Sequence, residues 1–355
     1  MTAYLLLFLY PLLGHLLRPR ISENAETASW WALGSLWVLI IGFRIEVGCD
    51  WDGYLQLYNN FFTTGDFGDL TLNDSFWFTL FNWDAGYIFL TWASAKLGLG
   101  IYGINIACGT LIVCGLSAFC RKMPAPWLAW LIATPYFLTV VSMGYSRQAV
   151  AIGLFFWALR FLLDDRRACF VILVILASLF HKTAFFLLPL GFLPWPLHKS
   201  RLLILTLFPV VLAIIFLTPY LFTSYIISSP YHSDGAPIRA VMNALPALLL
   251  LLFRNHCRPE HNHPPVVHWM ALAGIIGIAL VWFAATAIDR LGLYLIPIQV
   301  YAWSYLPFAP DIGVRHFRFI ATALVASIYG AALIVWLLYA EHRECWLPYQ
   351  NLLLT

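Results

Sequence analysis

The chain has 355 residues, 62% of them hydrophobic and 10% charged, against roughly 25% charged in an average soluble domain. Its formal charge is +3, with no basic tail and no basic strip interleaved with aromatics, which excludes nucleic acid as a partner and makes the bilayer the solvent. The information lies in where the few charges fall.

Apolar runs near 3–17, 29–43, 101–120, 127–143, 145–163, 168–180, 183–197, 202–222, 239–253, 267–288, 290–309 and 319–340 are candidate membrane helices. Several fall short of the ~20 residues that cross the hydrocarbon core, so breaks, tilts and partial spans are expected. The first run lacks a basic n-region and a small-residue cleavage site and reads as a retained helix. Residues 44–100 are expected to stay external, with GYIFLTWASAKLGLGI forming an interfacial or re-entrant helix after Asp84. A break at SLFHKTAF divides 168–197 into two short helices meeting near His181. The expected architecture is all-α: one integral membrane domain over 1–355, a polytopic bundle of about 10–12 membrane helices.

If all twelve runs cross, 13 of the 20 Lys and Arg fall on one side, in loops holding Arg18, Arg20, Arg121, Lys122, Arg166, Arg167, Lys199, Arg201, Arg254, Arg258, Arg315 and Arg318, together with Arg160. That side is cytoplasmic by the positive-inside rule. The acids lean the other way, 11 of 17 being external, and both termini face outward. The seven cysteines sit mostly in apolar runs without paired spacing; they read as small buried hydrophobes with no disulfide framework. The string RNHCRPEHNHPP matches no standard zinc spacing and reads as a solvated cytoplasmic loop.

Four of the external cations stand beside helix ends. Arg44 ends the second run, Arg147 opens the fifth, Arg239 the ninth and Arg290 the eleventh. Any one of them has a plain reading as a cation snorkelling to headgroups. Taken together, four guanidiniums at similar depth on the acidic side are expected to ring one cavity, because Arg near hydrocarbon is costly and its planar fork suits phosphate. Arg147 and Arg290, at expected helix starts, suit a diphosphate best. Asp50, in the turn Gly48-Cys49-Asp50, has Arg44, Asp52 and Tyr54 nearby and is the first choice for a tuned carboxylate. Asp50-Trp51-Asp52 spells a DxD, but no further ligand accompanies it and no metal is assigned. His181 in a helix break is the second choice for a proton acceptor and Asp84 the third.

The order FR-x-x-VG-x-D-x-x-x-Y (Phe43, Arg44, Val47, Gly48, Asp50, Tyr54), an acid-x-Gly-Tyr element (Asp84, Gly86, Tyr87), SRQAVAIGL, LASLFHKTA, then Arg290 with Tyr294, resembles the EpsG family of Wzy-like exopolysaccharide polymerases. The acid element reads Asp84-Ala85-Gly86 where such proteins usually have Glu-Pro-Gly, keeping a carboxylate. The resemblance implies a GT-C-like helical fold in the bacterial inner membrane. It also implies polymerisation, at the outer face, of glycan repeat units carried on undecaprenyl diphosphate. A chain-length regulator and a flippase are the partners it suggests. On that reading Arg147 and Arg290, with Arg44 and Arg239 in support, hold the diphosphate beside Gln148, while Tyr54 and Tyr87 stack on sugar. Asp50, His181 or Asp84 serves as general base. No cofactor or nucleotide is expected, since no phosphate-binding Gly loop is present. A flippase for lipid-linked sugars is the second class, disfavoured by charges gathered at one face and by the lack of a repeat. A glycan ligase breaks the same bond and differs only in acceptor, and an acyltransferase would want its histidine on the cytoplasmic side.

Overall fold

The computed structural model describes residues 1–64, 84–193, 233, 235–253, 263–308 and 315–354. The expected helix at 202–222 lies outside those residues, as do Asp66, Asp69, Asp74, Asp234, Lys199, Arg201, Arg254, Arg258, His256, Cys257 and His261.

Thr2–Leu17 forms α1 and Glu23–Gly42 forms α2. The Ser22 hydroxyl caps α2 by accepting from the Ala25 N–H at 3.3 Å, and Glu23 and Glu26 in the first turn complement the helix dipole. A two-residue strand β1 (Arg44–Ile45), α3 (Trp51–Thr64) and α4 (Ala85–Lys96) follow. The helix expected after Asp84 therefore exists, and Gly98 and Gly100 turn the chain with positive φ into α5 (Gly100–Cys120).

Helix α6 (Pro126–Gly144) is the centre of the bundle, 94% of its apolar window being buried, whereas α13 (Arg315–Tyr339) is only 33% buried and leaves its apolar sides for lipid. A helix hydrophobic all round must have one of those two fates. Pro135 removes a backbone donor from α6, and Thr134–Val141 winds as π-helix, with the Thr139 hydroxyl donating to Thr134 O at 2.9 Å. Next come α7 (Ser146–Leu162) and α8 (Arg167–Phe180). Helices α5 and α7 touch backbone to backbone: a Cβ at Gly115 would lie 1.9 Å from Gly153 O, as suits membrane helices held by van der Waals packing. Helix α8 stops at Phe180, His181 is extended, and Lys182–Gly191 continues as a 3₁₀ segment, which is the expected break. The remaining helices are α9 (Ala236–Phe253), α10 (Pro265–Leu280), α11 (Ala285–Gly292), α12 (Ile296–Tyr305) and α13.

Among the described residues, Gly100–Cys120, Pro126–Gly144 and His316–Tyr339 are long and apolar enough to cross a membrane, and shorter apolar helices accompany them. The chain is thus an all-α, polytopic membrane protein. Its charges separate into two poles. At one, Arg18 pairs with Glu26 at 3.0 Å and Trp127 donates to the same carboxylate, while Lys122 and Arg160 each meet Asp164 at 2.6 Å. The Lys122 hydrogen bond, aided by Arg160, holds Asp164 below the usual carboxylate range. The other pole, one α2 length or about 30 Å away, carries Arg44, Asp50, Asp84 and Arg147.

Residues 340–354 form a strap across that second pole. Its strand β2 (Gln350–Asn351) pairs antiparallel with β1, in the register Arg44↔Asn351 and Ile45↔Gln350. The Trp346 indole donates to Thr139 O, a carbonyl within the π-wound stretch of α6, at 2.9 Å, and Tyr4 donates to Trp346 O at 3.0 Å.

Three expectations are corrected. Cys49 and Cys345 form a disulfide with Cα atoms 5.1 Å apart, whereas no disulfide was expected; both lie outside apolar runs, where the buried-hydrophobe argument does not apply. His263, expected in a solvated loop, is buried, with Nδ1 2.9 Å from the Tyr301 hydroxyl. Arg290 does not open a helix but stands in the last turn of α11, because the break falls earlier, at Val281–Ala284, where neither Gly nor Pro marks it.

Candidate functional site

The site begins with a sharp turn. Glu46 and Gly48 both have positive φ, and Gly48 approaches α6 so closely that a Cβ there would sit 2.1 Å from Met143 O. This close approach sets Asp50 at the start of α3, where its carbonyl accepts from the Tyr54 N–H at 3.1 Å. Asp50 is open to solvent on one side but lies in a recess. Burial there raises its carboxyl above the ordinary value, and the smaller, opposing influences are Arg290 and Arg147. Two of the expected arginines, from α11 and α7, therefore lie within electrostatic reach of the same carboxylate.

Arg147 is half-exposed and donates to Asp84 Oδ2 at 3.0 Å, with its guanidinium 5.9 Å above the Tyr54 ring. Asp84, 7% exposed at the start of α4, also lies 3.9 Å from His181 Nδ1. Lys182 follows in sequence and is within electrostatic reach of Asp84 and Arg147. The Arg290 guanidinium stacks 4.3 Å from the Tyr145 ring centroid, and its backbone is fixed by Gln148, whose Nε2 donates to Arg290 O at 2.8 Å. Gln148 thus holds the turn that carries Arg290. Tyr54 and Tyr87 are buried against each other, ring centroids 5.1 Å apart, forming a floor under Arg147 rather than an exposed platform.

Arg44 is not part of this surface. It is 1% exposed and its guanidinium donates to Ile41 O at 2.6 Å, Val47 O at 3.1 Å and Ser146 Oγ at 2.9 Å. It spends its donors on the loop that presents Asp50 and on the first residue of α7, next to Arg147.

Arg239 faces a mainly apolar cavity of about 390 Å³ lined by α9, α10, α11 and the 3₁₀ segment, including Phe186, Leu187, Trp269, Leu291 and Leu293. It forms a two-point ion pair with Asp289, also held by Ser233. Arg239 and Arg290 both lie within electrostatic reach of Tyr136, so the cavity adjoins the cluster around Asp50: Asp289 of α11 lines the cavity, and its neighbour Arg290 lies within reach of Asp50. The four arginines thus do not ring one cavity: Arg147 and Arg290 lie near Asp50, Arg239 lines the neighbouring cavity, and Arg44 is buried beneath the turn.

The EpsG family model matches residues 29–351. The chain belongs to the EpsG family. The match takes in every candidate residue above and the strap as far as β2, and membership points to a role in exopolysaccharide polymerisation. No curated protein and no solved structure matches the chain.

In this EpsG-family chain, sequence reasoning missed Lys182, Tyr145, Asp289 and the strap. Asp289 and Lys182 were adjacent to residues already singled out. The strap carried a weak signal: Cys345, Trp346 and Tyr349 follow the last apolar run in a short polar segment, and Cys49 is likewise in a polar stretch of the acidic side. Among the described residues, no group of three or more His, Cys, Asp or Glu is arranged to hold a metal ion.

Proposed function

We propose that this chain is a membrane glycosyltransferase of the bacterial inner membrane. It transfers glycan repeat units carried on undecaprenyl diphosphate to an acceptor glycan at the periplasmic face. The observation that carries the proposal is that Arg147, paired with Asp84, and Arg290, stacked on Tyr145, both lie within electrostatic reach of Asp50, beside an apolar cavity. A lipid-linked diphosphate sugar has an anionic head and an apolar tail, and the cationic cluster and the apolar cavity beside it match the two halves. A disulfide at the same pole supports placing it in an oxidising compartment.

In the reaction, a hydroxyl oxygen of the acceptor attacks C1 of the donor sugar, the C1–O bond to phosphate breaks, and the electron pair leaves with the lipid diphosphate. Arg147 and Arg290 stabilise the charge that accumulates on the departing phosphate. Asp50 accepts the hydroxyl proton, and burial brings its carboxyl nearer to the working pH than an exposed one. Asp84 holds Arg147 in place and is flanked by His181, which is the alternative proton acceptor. The apolar cavity takes the first isoprene units, its one ion pair being internally neutralised.

Purified protein in lipid nanodiscs, supplied with lipid-linked glycan extracted from the producing cells, tests this directly. Lengthened lipid-linked product is the expected result. Unchanged glycan with exchange between leaflets of a vesicle would make the protein a flippase, and transfer only to a different acceptor would make it a ligase.

A further inference from the structure

The strap and the turn bearing Asp50 meet in an unusual way. Gly48 and Trp51 are buried, while the two residues between them, Cys49 and Asp50, are exposed. Residues before the turn are fixed by Arg44, which donates to Val47 O, by the β1–β2 pairing, and by the Gly48 N–H, which donates to Cys345 O at 2.7 Å. Residues after it are fixed by α3, through buried Trp51, Tyr54 and Tyr58. The covalent tie to Cys345 acts on the exposed pair itself.

The strap does not need that tie to stay in place. It is also anchored by Trp346 to Thr139 O, by Tyr4 to Trp346 O, by Tyr349 to Ile40 O at 2.9 Å, and by Leu352 N–H to Phe43 O at 2.8 Å. A disulfide closing 296 residues would stabilise a soluble chain mainly by restricting its unfolded state. That argument loses most of its force in a bilayer, where helices remain inserted and ordered without their tertiary contacts. What the bond contributes is therefore local.

We infer that the Cys49–Cys345 disulfide is a positioning element that fixes the turn bearing Asp50 against the strap, so that the site is completed only after the two thiols have been oxidised. This rests on the reading of Asp50 as a group of the reacting site. Formation of the bond releases two protons and passes two electrons to a thiol–disulfide oxidant of the external compartment; a dithiol such as dithiothreitol reverses it, becoming a cyclic disulfide itself. Among the described residues the other cysteines are reduced, Cys108 and Cys120 being buried within α5.

The test uses the purified full chain in nanodiscs with the extracted lipid-linked glycan as probe, comparing the oxidised protein, the same protein after dithiothreitol, and the C49S/C345S double variant. The expected result is chain growth slowed about tenfold or more in the second and third, as for a reacting group displaced by an ångström, with thermal midpoints essentially unchanged and the double variant indifferent to dithiothreitol. The pH profile supplies the readout that a merely structural role would not move. Asp50 lies within electrostatic reach of Arg147 on α7, Arg290 on α11 and Tyr54 on its own helix, and burial is the largest influence on it. Released from its recess, its carboxyl falls toward the ordinary value and the acid limb of the rate profile moves to lower pH. Full activity after reduction, or a parallel fall of rate and thermal midpoint with an unmoved acid limb, overturns the inference. An active D50N variant overturns it together with the reading of Asp50 beneath it, whereas inactive D50N alongside harmless reduction removes the positioning role alone.

Discussion

The cavity beside α11 and the cluster around Asp50 each hold an arginine paired with an aspartate, and the two pairs differ in kind. Arg239 and Asp289 meet at two points, share Ser233, and have side chains only 26% and 14% exposed; the pair is closed. Arg147 meets Asp84 through one nitrogen and one oxygen, and 42% of its side chain stays exposed. A closed pair lets an apolar cavity carry charge without attracting an ion, whereas a half-exposed guanidinium held at one point can still meet an anion. On the proposed reading, that contrast matches the anionic head to the open pair and the apolar tail to the cavity.

The comparison breaks most visibly at the open cluster. Arg147→Ala or Arg290→Ala removes a charge-assisted contact to the leaving group, and chain growth by the purified variants is expected to fall about 10²–10³-fold with the protein still abundant. A normal polymer length distribution in both variants would show the cluster to be idle. At the closed pair the effect is on stability. Arg239→Ala strands a half-buried carboxylate and should cost about 3–5 kcal/mol in a detergent unfolding assay, while R239A/D289A recovers most of that, giving a large coupling in the double-mutant cycle. Additive losses would mean that the pair is not the closed unit described. A smaller change comes from Gln148→Leu, which frees the α11 turn holding Arg290 without touching its guanidinium. Turnover should drop about tenfold, by misplacement, with little change in protein yield.

The smallest effects are in pH dependence. Because Asp50 is raised by burial, lowering the pH through that raised value protonates it while the carboxylate is still needed to accept a proton, so turnover falls. Protonation also leaves the arginines with one fewer competing anion, so affinity for the lipid diphosphate rises over the same interval. As the pH is lowered, kcat and KM are therefore expected to fall together, and the pH dependence of binding vanishes in D50N.

Much of this was legible in the sequence, for reasons that mark the boundary of such reading. Helix positions followed from apolar runs, and the break at His181 from a polar pair in one of them, since a bilayer tolerates little else. Arg147 and Asp50 stood out because charge beside hydrocarbon needs a cause. Residue pairing did not follow. Arg44 and Arg147 look alike in sequence, yet one is spent on three acceptors in the core and the other faces outward, a difference set by a two-residue strand pairing with residues more than 300 positions away. The strap is short, not apolar enough to signal a span, and gains its meaning only from what it touches. Arg290 stands in the last turn of a helix instead of opening one, because no Gly or Pro in the sequence marks the break before it.

The account depends on diphosphate binding at the open cluster, and the most direct measurement is the affinity of purified protein in nanodiscs for undecaprenyl diphosphate. Wild type and the R239A/D289A pair should bind alike, while R147A and R290A bind at least tenfold more weakly. Unchanged affinity in R147A and R290A, or a loss confined to the R239A/D289A pair, would contradict it.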